Sequence, residues 1–373
     1  MLYLDNSATT PIAPEVKDAM LPYLMEEFGN PSSKYYTLAK NAKQAVEKSR
    51  QQIGKLLGCD TDEIIFTSGA TESNNMILKG VAERYVNTKK NHIITSKVEH
   101  PSVLEVCQYL ETKGFKVTYL DVDQFARIDL NQLESSIDST VFLVSLMWGN
   151  NELGSLNDMS KIQEICLKHD IFLHTDATQV IGKVDFDLID YEGINFFSCS
   201  AHKFYGPKGV GIAMLKKDSL GLSIPITPLL HGGKQENGLR SGTLSVHNIV
   251  GMGKAAELAN INLKKNIQKL IELEDALYKI LEKQFEDNII FNSDRKNKIP
   301  GIINLRFPNF NNEILAKKLA PYVATSTGSA CSSAYPSYVL QESGLSLEEV
   351  RTCLRFSLNH FITLEELEIF NSL

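Results

Sequence analysis

Short apolar runs rich in β-branched residues alternate with longer amphipathic runs between residues 60 and 217. The short runs predict strands, and they are EIIFTSG, HIITS, KVTYLDV, VFLVSLMW, IFLHTDA, INFFSCS and VGIAML. The longer runs ESNNMILKGVAERYV, PSVLEVCQYLETKG and MSKIQEICLKHD predict helices between them. Strand, helix and strand at this spacing predict an α/β fold with a mostly parallel sheet that helices cover on both faces.

Polar motifs follow several of these predicted strands. They are SGATES, EHPS, NNE, DATQ and SAHK. Ligands of such sheets bind outside the carboxyl ends of the strands. We therefore expect the functional site at the edge of the sheet where these motifs meet.

A different pattern begins near residue 254. Apolar residues keep helical spacing through a stretch rich in Lys and Glu, which predicts a long helix leading into a second, smaller unit. The segments GIINLRF, NNEILAKKLAPY, VATSTGSACSSAYPS and LRFSLNHF then predict an α+β module. We predict a large cofactor-binding domain over residues 13–258 and a small domain formed by residues 1–12 plus 259–373.

Composition excludes several classes of partner. The chain has 373 residues, 43% of them hydrophobic, and a formal net charge of -7, so no clustered positive charge predicts direct nucleic-acid binding. The longest apolar runs fall well below the roughly 18 residues that a membrane helix needs. The first residues also lack the charged and apolar regions of a signal peptide. We expect a soluble protein without membrane contact.

Six cysteines are scattered along the chain without a C-x-x-C pair. This spacing argues against a metal site or a thioredoxin-like motif, and it favours a reducing cytoplasm. Five of them are expected to be small buried residues: Cys59, Cys107, Cys166, Cys199 and Cys353.

Lys203 lies in SAHKFYGPKG, residues 200–209. A lysine at a strand end is usually a solvated surface residue. Here Asp176 ends another predicted strand of the same sheet, so the two side chains are expected to converge. Pyridoxal phosphate requires this pair, because the lysine forms a Schiff base with the cofactor's aldehyde and the aspartate keeps the pyridine nitrogen protonated.

A phosphate group needs its own binding site. The stretch TSGATESNN, residues 67–75, places Gly69 between a strand and a helix start, where backbone N–H groups favour an anion. A simple helix N-cap explains the same residues equally well. Ser200 and His202 offer further donors beside the lysine, and the turn at residues 240–243 adds a positive charge.

Taken together, the motifs identify a family. DNSATTP, FGNPSS, FTSGATES, TSKVEH, NNELG, DATQ, SAHKFYGPKG, RSGT, GSACSSA and RFSL occur in this order across nearly all the chain. This series resembles the cysteine desulfurases of the NifS/IscS type, which belong to the fold-type I pyridoxal-phosphate enzymes. The resemblance implies a homodimer with active sites at the subunit interface.

The resemblance also implies which residues bind the cofactor. Lys203 joins it covalently, Asp176 meets the pyridine nitrogen, Gln179 hydrogen-bonds the phenolic oxygen, and His100 stacks on the ring. A histidine before Pro101 is equally typical of a structural turn. The residues implied for the phosphate are Ala70, Thr71, Ser200, His202 and, from the other subunit, Thr243.

Substrate and reaction follow from the same resemblance. Asn151 and Arg355 bind the carboxylate of L-cysteine, although most arginines are merely solvated. Lys203 removes the Cα proton and His100 shuttles protons. Cys331 lies in a run of small residues, which predicts an exposed loop. Its thiolate takes the sulfur as a persulfide, alanine leaves, and the sulfur passes to an acceptor protein, either an iron-sulfur scaffold or a tRNA thiolase.

Three departures from the family pattern and several rival functions stay open. The loop after Cys331 is about two residues shorter than in some members, and the chain stops soon after RFSLNHFITLEELEIF, so a terminal helix that helps bind scaffold proteins in longer relatives is expected to be truncated. Lys34-Tyr35-Tyr36 stands where many relatives have histidine, and Trp148-Gly149 stands where some have His-Val. Both positions can alter the pocket wall or the dimer contacts. The rivals are an aminotransferase, a selenocysteine lyase, and a binding or scaffold protein that has kept the fold without the activity.

Overall fold

The computed structural model describes residues 1–218, 220–328 and 335–372. The strands of these ranges are, in chain order, β1 (Leu2–Tyr3), β2 (Ile64–Thr67), β3 (His92–Ser96), β4 (Lys116–Leu120), β5 (Val141–Ser145), β6 (Phe172–Asp176), β7 (Ile194–Ser200), β8 (Gly211–Leu215), β9 (Ile290–Phe291), β10 (Ile302–Arg306), β11 (Val323–Ala324) and β12 (Cys353–Ser357).

The helices are given in the same order. They are α1 (Pro14–Met25), α2 (Thr37–Leu57), α3 (Ala70–Glu83), α4 (Pro101–Glu111), α5 (Leu130–Ser136), α6 (Met159–Lys168), α7 (Val246–Phe285), α8 (Asn312–Leu319), α9 (Tyr338–Glu342), α10 (Leu347–Val350) and α11 (Leu364–Leu367). In the described part of the chain, no helix is both long enough and apolar enough to cross a membrane.

A seven-stranded sheet in the order β2-β8-β7-β6-β5-β3-β4 forms the centre of the fold. β4, β3, β5, β6 and β7 pair in parallel, while β8 runs antiparallel to both β7 and β2. β2 therefore points the same way as β7, and β8 alone is reversed. This confirms the predicted α/β class with a mostly parallel sheet, and it brings six carboxyl ends to one edge.

Helices cover both faces of this sheet, which explains why its strands are apolar throughout. On one face Phe66 and Phe197 pack with Ile53 of α2 and Met252 of α7. On the other face Ile65 and Phe196 belong to a separate core with residues of α3 and α4. Alternate residues of each strand thus enter different cores, and both sets must be apolar.

A smaller antiparallel sheet, β12-β10-β9, and the parallel pair β1-β11 lie outside the central sheet. Leu2 and Leu4 share a core with Leu273 and Leu277 of α7 and with Phe356 of β12. The α7 helix runs through 40 residues and contributes to this core and to that of the central sheet. The predicted division at residue 258 falls inside α7, and the two-domain boundaries stay a prediction.

Candidate active site

A cavity of about 170 Å³ lies at the carboxyl edge of the central sheet. Its lining residues are Ser7, Ala8, Ala70, Thr71, His100, Met147, Gly149, Asn151, Asp176, Thr178, Gln179, Ser200, His202, Lys203 and Arg355. Ten of the site residues expected from the sequence are therefore brought together in one place. The edge of a mostly parallel sheet is where such a site is expected.

Lys203 ends a short helical turn, Ala201–Lys203, that directly follows β7. Its Nζ donates to the carbonyl oxygens of Ser7 at 2.6 Å and Ala8 at 2.8 Å. The turn needs a glycine at 206, because a Cβ there would approach the Cβ of Ala201 to 2.8 Å. The small residues around Lys203 thus let the chain fold tightly while its amine faces the cavity.

Asp176 is the last residue of β6 and is only 7% exposed. Its Oδ1 accepts from the backbone N–H of Thr178 at 3.0 Å, and its Oδ2 accepts from Nδ2 of Asn74 at 2.8 Å. Each carboxylate oxygen therefore has a donor, which satisfies the buried group and fixes its orientation at the cavity.

The sequence did not single out Asn74, which does not line the cavity but donates to Asp176. It is fully buried on α3, and its Nδ2 also donates to Oγ of Ser102 at 2.8 Å. Ser102 Oγ lies 2.8 Å from Nδ1 of His100, and the Ser102 N–H donates to that nitrogen at 3.1 Å. Asn74 lies one helical turn after Ala70. A polar residue on the buried face of a predicted helix is the sequence signal that could have identified it.

The start of α3 forms part of the cavity wall, through Ala70 and Thr71. The N-cap residue is Gly69, so no side chain caps the helix, and the alternative of a simple Ser or Thr N-cap is not realised. Ser200 Oγ accepts from the Ala70 N–H at 2.7 Å. A helix N-terminus with hydroxyl groups beside it favours an anion.

Arg355 lies on β12 and is 1% exposed. Its Nη2 donates to Oδ1 of Asp5 at 2.6 Å, and its Nη1 donates to the backbone oxygen of Asn151 at 2.9 Å. Its Nε has no hydrogen-bond partner among the described residues. These contacts hold the guanidinium at the cavity wall, whereas most arginine side chains are solvated.

Thr243, another residue expected in the site, is exposed and does not line this cavity, and Cys331 lies outside the described residues. Of the cysteines expected to be buried, Cys59 is only partly buried, so that expectation was wrong for it. The expectation is confirmed for the others, which are Cys107, Cys166, Cys199 and Cys353.

His202 faces the cavity beside Lys203, and its Nδ1 lies 3.1 Å from Oγ1 of Thr9. Burial lowers the pKa of His202 to about 4, and the positive charges of Lys203, Lys208 and Lys183 contribute to this shift. The imidazole is therefore neutral near pH 7. A neutral ring can donate one hydrogen bond and accept another.

Known proteins resemble this chain over nearly its whole length. The family model described as aminotransferase class-V matches residues 2–370. A cysteine desulfurase IscS of Dictyoglomus turgidum is 44% identical over 369 residues, which cover 98% of this chain and 91% of the relative. Two solved structures also match over most of their length.

The first solved structure is a NifS-like protein with a TM-score of 0.92 and 37% identity, covering 100% of this chain and 97% of that one. The second is described as SspA in complex with cysteine. It has a TM-score of 0.84 and 35% identity, and the match covers 96% of this chain and 99% of that chain.

The depressed pKa of His202 predicts a pH effect on stability. Between about pH 6.5, the ordinary value for histidine, and about pH 4, only the unfolded chain binds a proton at this position. The contribution of His202 to the free energy of unfolding of the apoprotein should be complete above pH 6.5 and should fall as the pH drops through this window. His202→Asn should lose less stability than the wild type between pH 7.5 and pH 4.5, measured by urea unfolding midpoints.

The exposed His169 supplies the control. His169→Asn should keep the wild-type dependence on pH. An equal dependence in His202→Asn and the wild type would show that His202 does not contribute to it.

Proposed function

Since the chain belongs to the aminotransferase class-V family, we propose that it is a pyridoxal-phosphate-dependent cysteine desulfurase that converts L-cysteine to L-alanine. The observation that carries this proposal is one cavity lined by an amine, a carboxylate and a guanidinium. These groups are Lys203, Asp176 and Arg355. An amino acid substrate and a pyridine cofactor together need these three kinds of group.

The chemistry of the lining residues fits pyridoxal phosphate. The amine of Lys203 suits its aldehyde, the buried carboxylate of Asp176 suits its pyridine nitrogen, and the start of α3 with Ser200 and His202 suits its phosphate. Gln179 would meet the phenolic oxygen. When bound, the cofactor supplies an electron-accepting ring that stabilises negative charge at the substrate's Cα.

Lys203 and His100 are the proposed proton carriers. The two carbonyl oxygens on Lys203 Nζ hold its amine in the cavity, where it would remove the Cα proton. The N–H of Ser102 donates to Nδ1 of His100, so this nitrogen is an acceptor and the ring N–H is on Nε2. His100 would therefore deliver and recover a proton at that atom.

Arg355 and Asn151 are proposed to bind the substrate carboxylate. The guanidinium is anchored by Asp5 and by the Asn151 backbone, and its planar donors suit a carboxylate. This contact would hold the amino acid with its Cα near Lys203. It would also exclude amines that lack a carboxylate.

Cys331 is the proposed sulfur acceptor within the chain. Its thiolate would attack the substrate sulfur, so a sulfur-sulfur bond forms while the substrate's Cβ–S bond breaks and Cβ takes up a proton. Cysteine and a thiol thereby become alanine and a persulfide, with no external oxidant or reductant. The persulfide sulfur would then pass to an acceptor protein, an iron-sulfur scaffold or a tRNA thiolase.

The remaining proposals concern location and assembly. Free thiols at the described cysteines are typical of a reducing compartment, and we place the protein in the cytoplasm.

The end of α1 and the segment after it expose Leu24, Met25, Phe28 and Tyr35, a cluster that suits burial against a second copy. In such a homodimer the exposed Thr243 would reach the partner's phosphate site.

The homodimer predicts a mass of two chains by sedimentation equilibrium at micromolar concentration. The double variant Leu24→Asp, Phe28→Asp should shift the protein toward the monomer, because it places charge in the proposed interface. Ile189→Asp, at an apolar residue of similar exposure outside this cluster, should remain a dimer. A wild-type protein with the mass of one chain would contradict the homodimer.

Carboxylate binding predicts that Arg355→Lys raises the KM for L-cysteine about 10- to 100-fold with a smaller effect on kcat, because lysine lacks the bidentate fork. Steady-state alanine formation measures both constants. Arg351→Lys, at an exposed arginine near the same strand, should leave both unchanged. An unchanged KM in a folded, cofactor-loaded Arg355→Lys protein would remove Arg355 from substrate binding.

The desulfurase reaction predicts alanine and a persulfide at Cys331 when the holoprotein is incubated with L-cysteine. Cys331→Ala should form no persulfide and should make alanine about 100-fold more slowly or worse, because the nucleophile is gone. Alanine is quantified directly and the persulfide by mass spectrometry of alkylated peptides. Cys59→Ala should behave like the wild type. Full turnover in Cys331→Ala would favour an aminotransferase or lyase instead.

A further inference from the structure

Lys183 is a buried amine beside the cavity that the proposed mechanism does not use. It is 8% exposed, and its Nζ donates to Oε1 of Gln179 at 3.1 Å. No carboxylate of the described chain forms an ion pair with it, which is unusual for a buried lysine. Burial lowers the pKa of Lys183 to about 7, and the positive charges of Lys203 and Arg355 contribute.

The side-chain amide of Gln179 has two partners that require the same orientation. The carbonyl oxygen of Ser7 can only accept, and it receives Nε2 of Gln179 at 3.0 Å. The amine of Lys183 meets the other end, Oε1, as a donor. The same Ser7 oxygen also accepts from Lys203 at 2.6 Å, so hydrogen bonds connect Lys183 to Lys203 through Gln179 and Ser7.

This arrangement leaves one amide hydrogen of Gln179 for the cavity. An amide nitrogen carries two hydrogens, and Ser7 takes only one of them. With the amide reversed, Gln179 would present its oxygen to the cavity and its nitrogen to a donor. Such an arrangement would repel a negatively charged oxygen of a ligand and would also leave Ser7 without its bond.

We propose that Lys183 is a positioning residue that holds the Gln179 amide with Nε2 toward the cavity, so that Gln179 donates to the phenolic oxygen of the cofactor. The inference rests on the proposed function, because that oxygen belongs to pyridoxal phosphate. Lys183 also makes the Gln179 amide a stronger hydrogen-bond donor. A donor on an amide oxygen polarises the amide and strengthens its N–H as a donor.

The bound cofactor reports on this hydrogen bond through its visible absorption. A donor on the phenolic oxygen draws negative charge away from the protonated nitrogen that joins the cofactor to its lysine. The pKa of that nitrogen falls as a result. Loss of the donor should therefore raise the pH at which the absorption changes. The other charged or titratable groups facing the cavity stay the same in every variant: His100, Asp176, His202, Lys203 and Arg355.

The test is a pH titration of the visible absorption of the holoprotein. Lys183→Met should raise the midpoint by about 0.5 to 1 pH unit, and Gln179→Leu should raise it at least as far. The double variant should move no further than Gln179→Leu alone, because Lys183 acts through Gln179. Lys161→Met, at an exposed lysine of α6, should keep the wild-type midpoint.

Two results would overturn the inference. An unchanged midpoint in Lys183→Met would show that the amide does not depend on Lys183. Shifts that add in the double variant would show that Lys183 acts by its charge alone and not through Gln179. A wild-type protein that takes up no cofactor chromophore would instead refute the proposed function.

Lys183→Gln serves if the methionine variant does not fold. Its side chain keeps a donor for Oε1 of Gln179 without a charge. Its midpoint should lie between the wild type and Gln179→Leu, and thermal unfolding of the apoprotein checks the fold. A midpoint equal to that of Gln179→Leu would show that a donor at position 183 does not orient the amide.

Discussion

The site depends on the contact between the amine of Lys203 and two carbonyl oxygens of the N-terminal segment, those of Ser7 and Ala8. An amine drawn into a protein wall needs acceptors, since otherwise it would stay in water. The N-terminal segment is itself fixed. Ser7 N donates to Oγ of Ser357 at 2.9 Å, and Thr10 N donates to the His202 oxygen at 2.9 Å. This segment therefore ties the end of β7 to β12, and Lys203 and Arg355 line the same cavity.

The direction and order of the strands determine where the charged side chains lie around the cavity. Six strands end at the same edge, Asp176 and Lys203 belong to the ends of the neighbouring strands β6 and β7, and the start of α3 offers N–H groups to the same cavity. The amine, the acid and the helix start proposed to bind an anion are thus separate groups around one cavity. A ligand with an aldehyde, a basic ring nitrogen and a phosphate matches all three, and the buried Lys183 adds a fourth influence through Gln179.

Much of this could be predicted from sequence because its causes are local. The strands are buried on both faces and so are apolar throughout. Asp176 ends one strand and Lys203 closely follows another, and the direction of both strands follows from the alternation with helices. Other features leave no such signal. The acceptors for Lys203 are backbone carbonyls, which every residue has, and the partner of Gln179 is a lysine that resembles a surface residue until its burial is known. The role proposed for Thr243 depends on a second chain.

The most direct test of the account is the covalent link between Lys203 and the cofactor. The wild-type protein, loaded with pyridoxal phosphate, is reduced with borohydride, digested and mapped by peptide mass spectrometry. The account predicts that the added mass lies on the peptide containing Lys203 and on that residue. Reduction that leaves this lysine unmodified, or that marks Lys183 in its place, would contradict it.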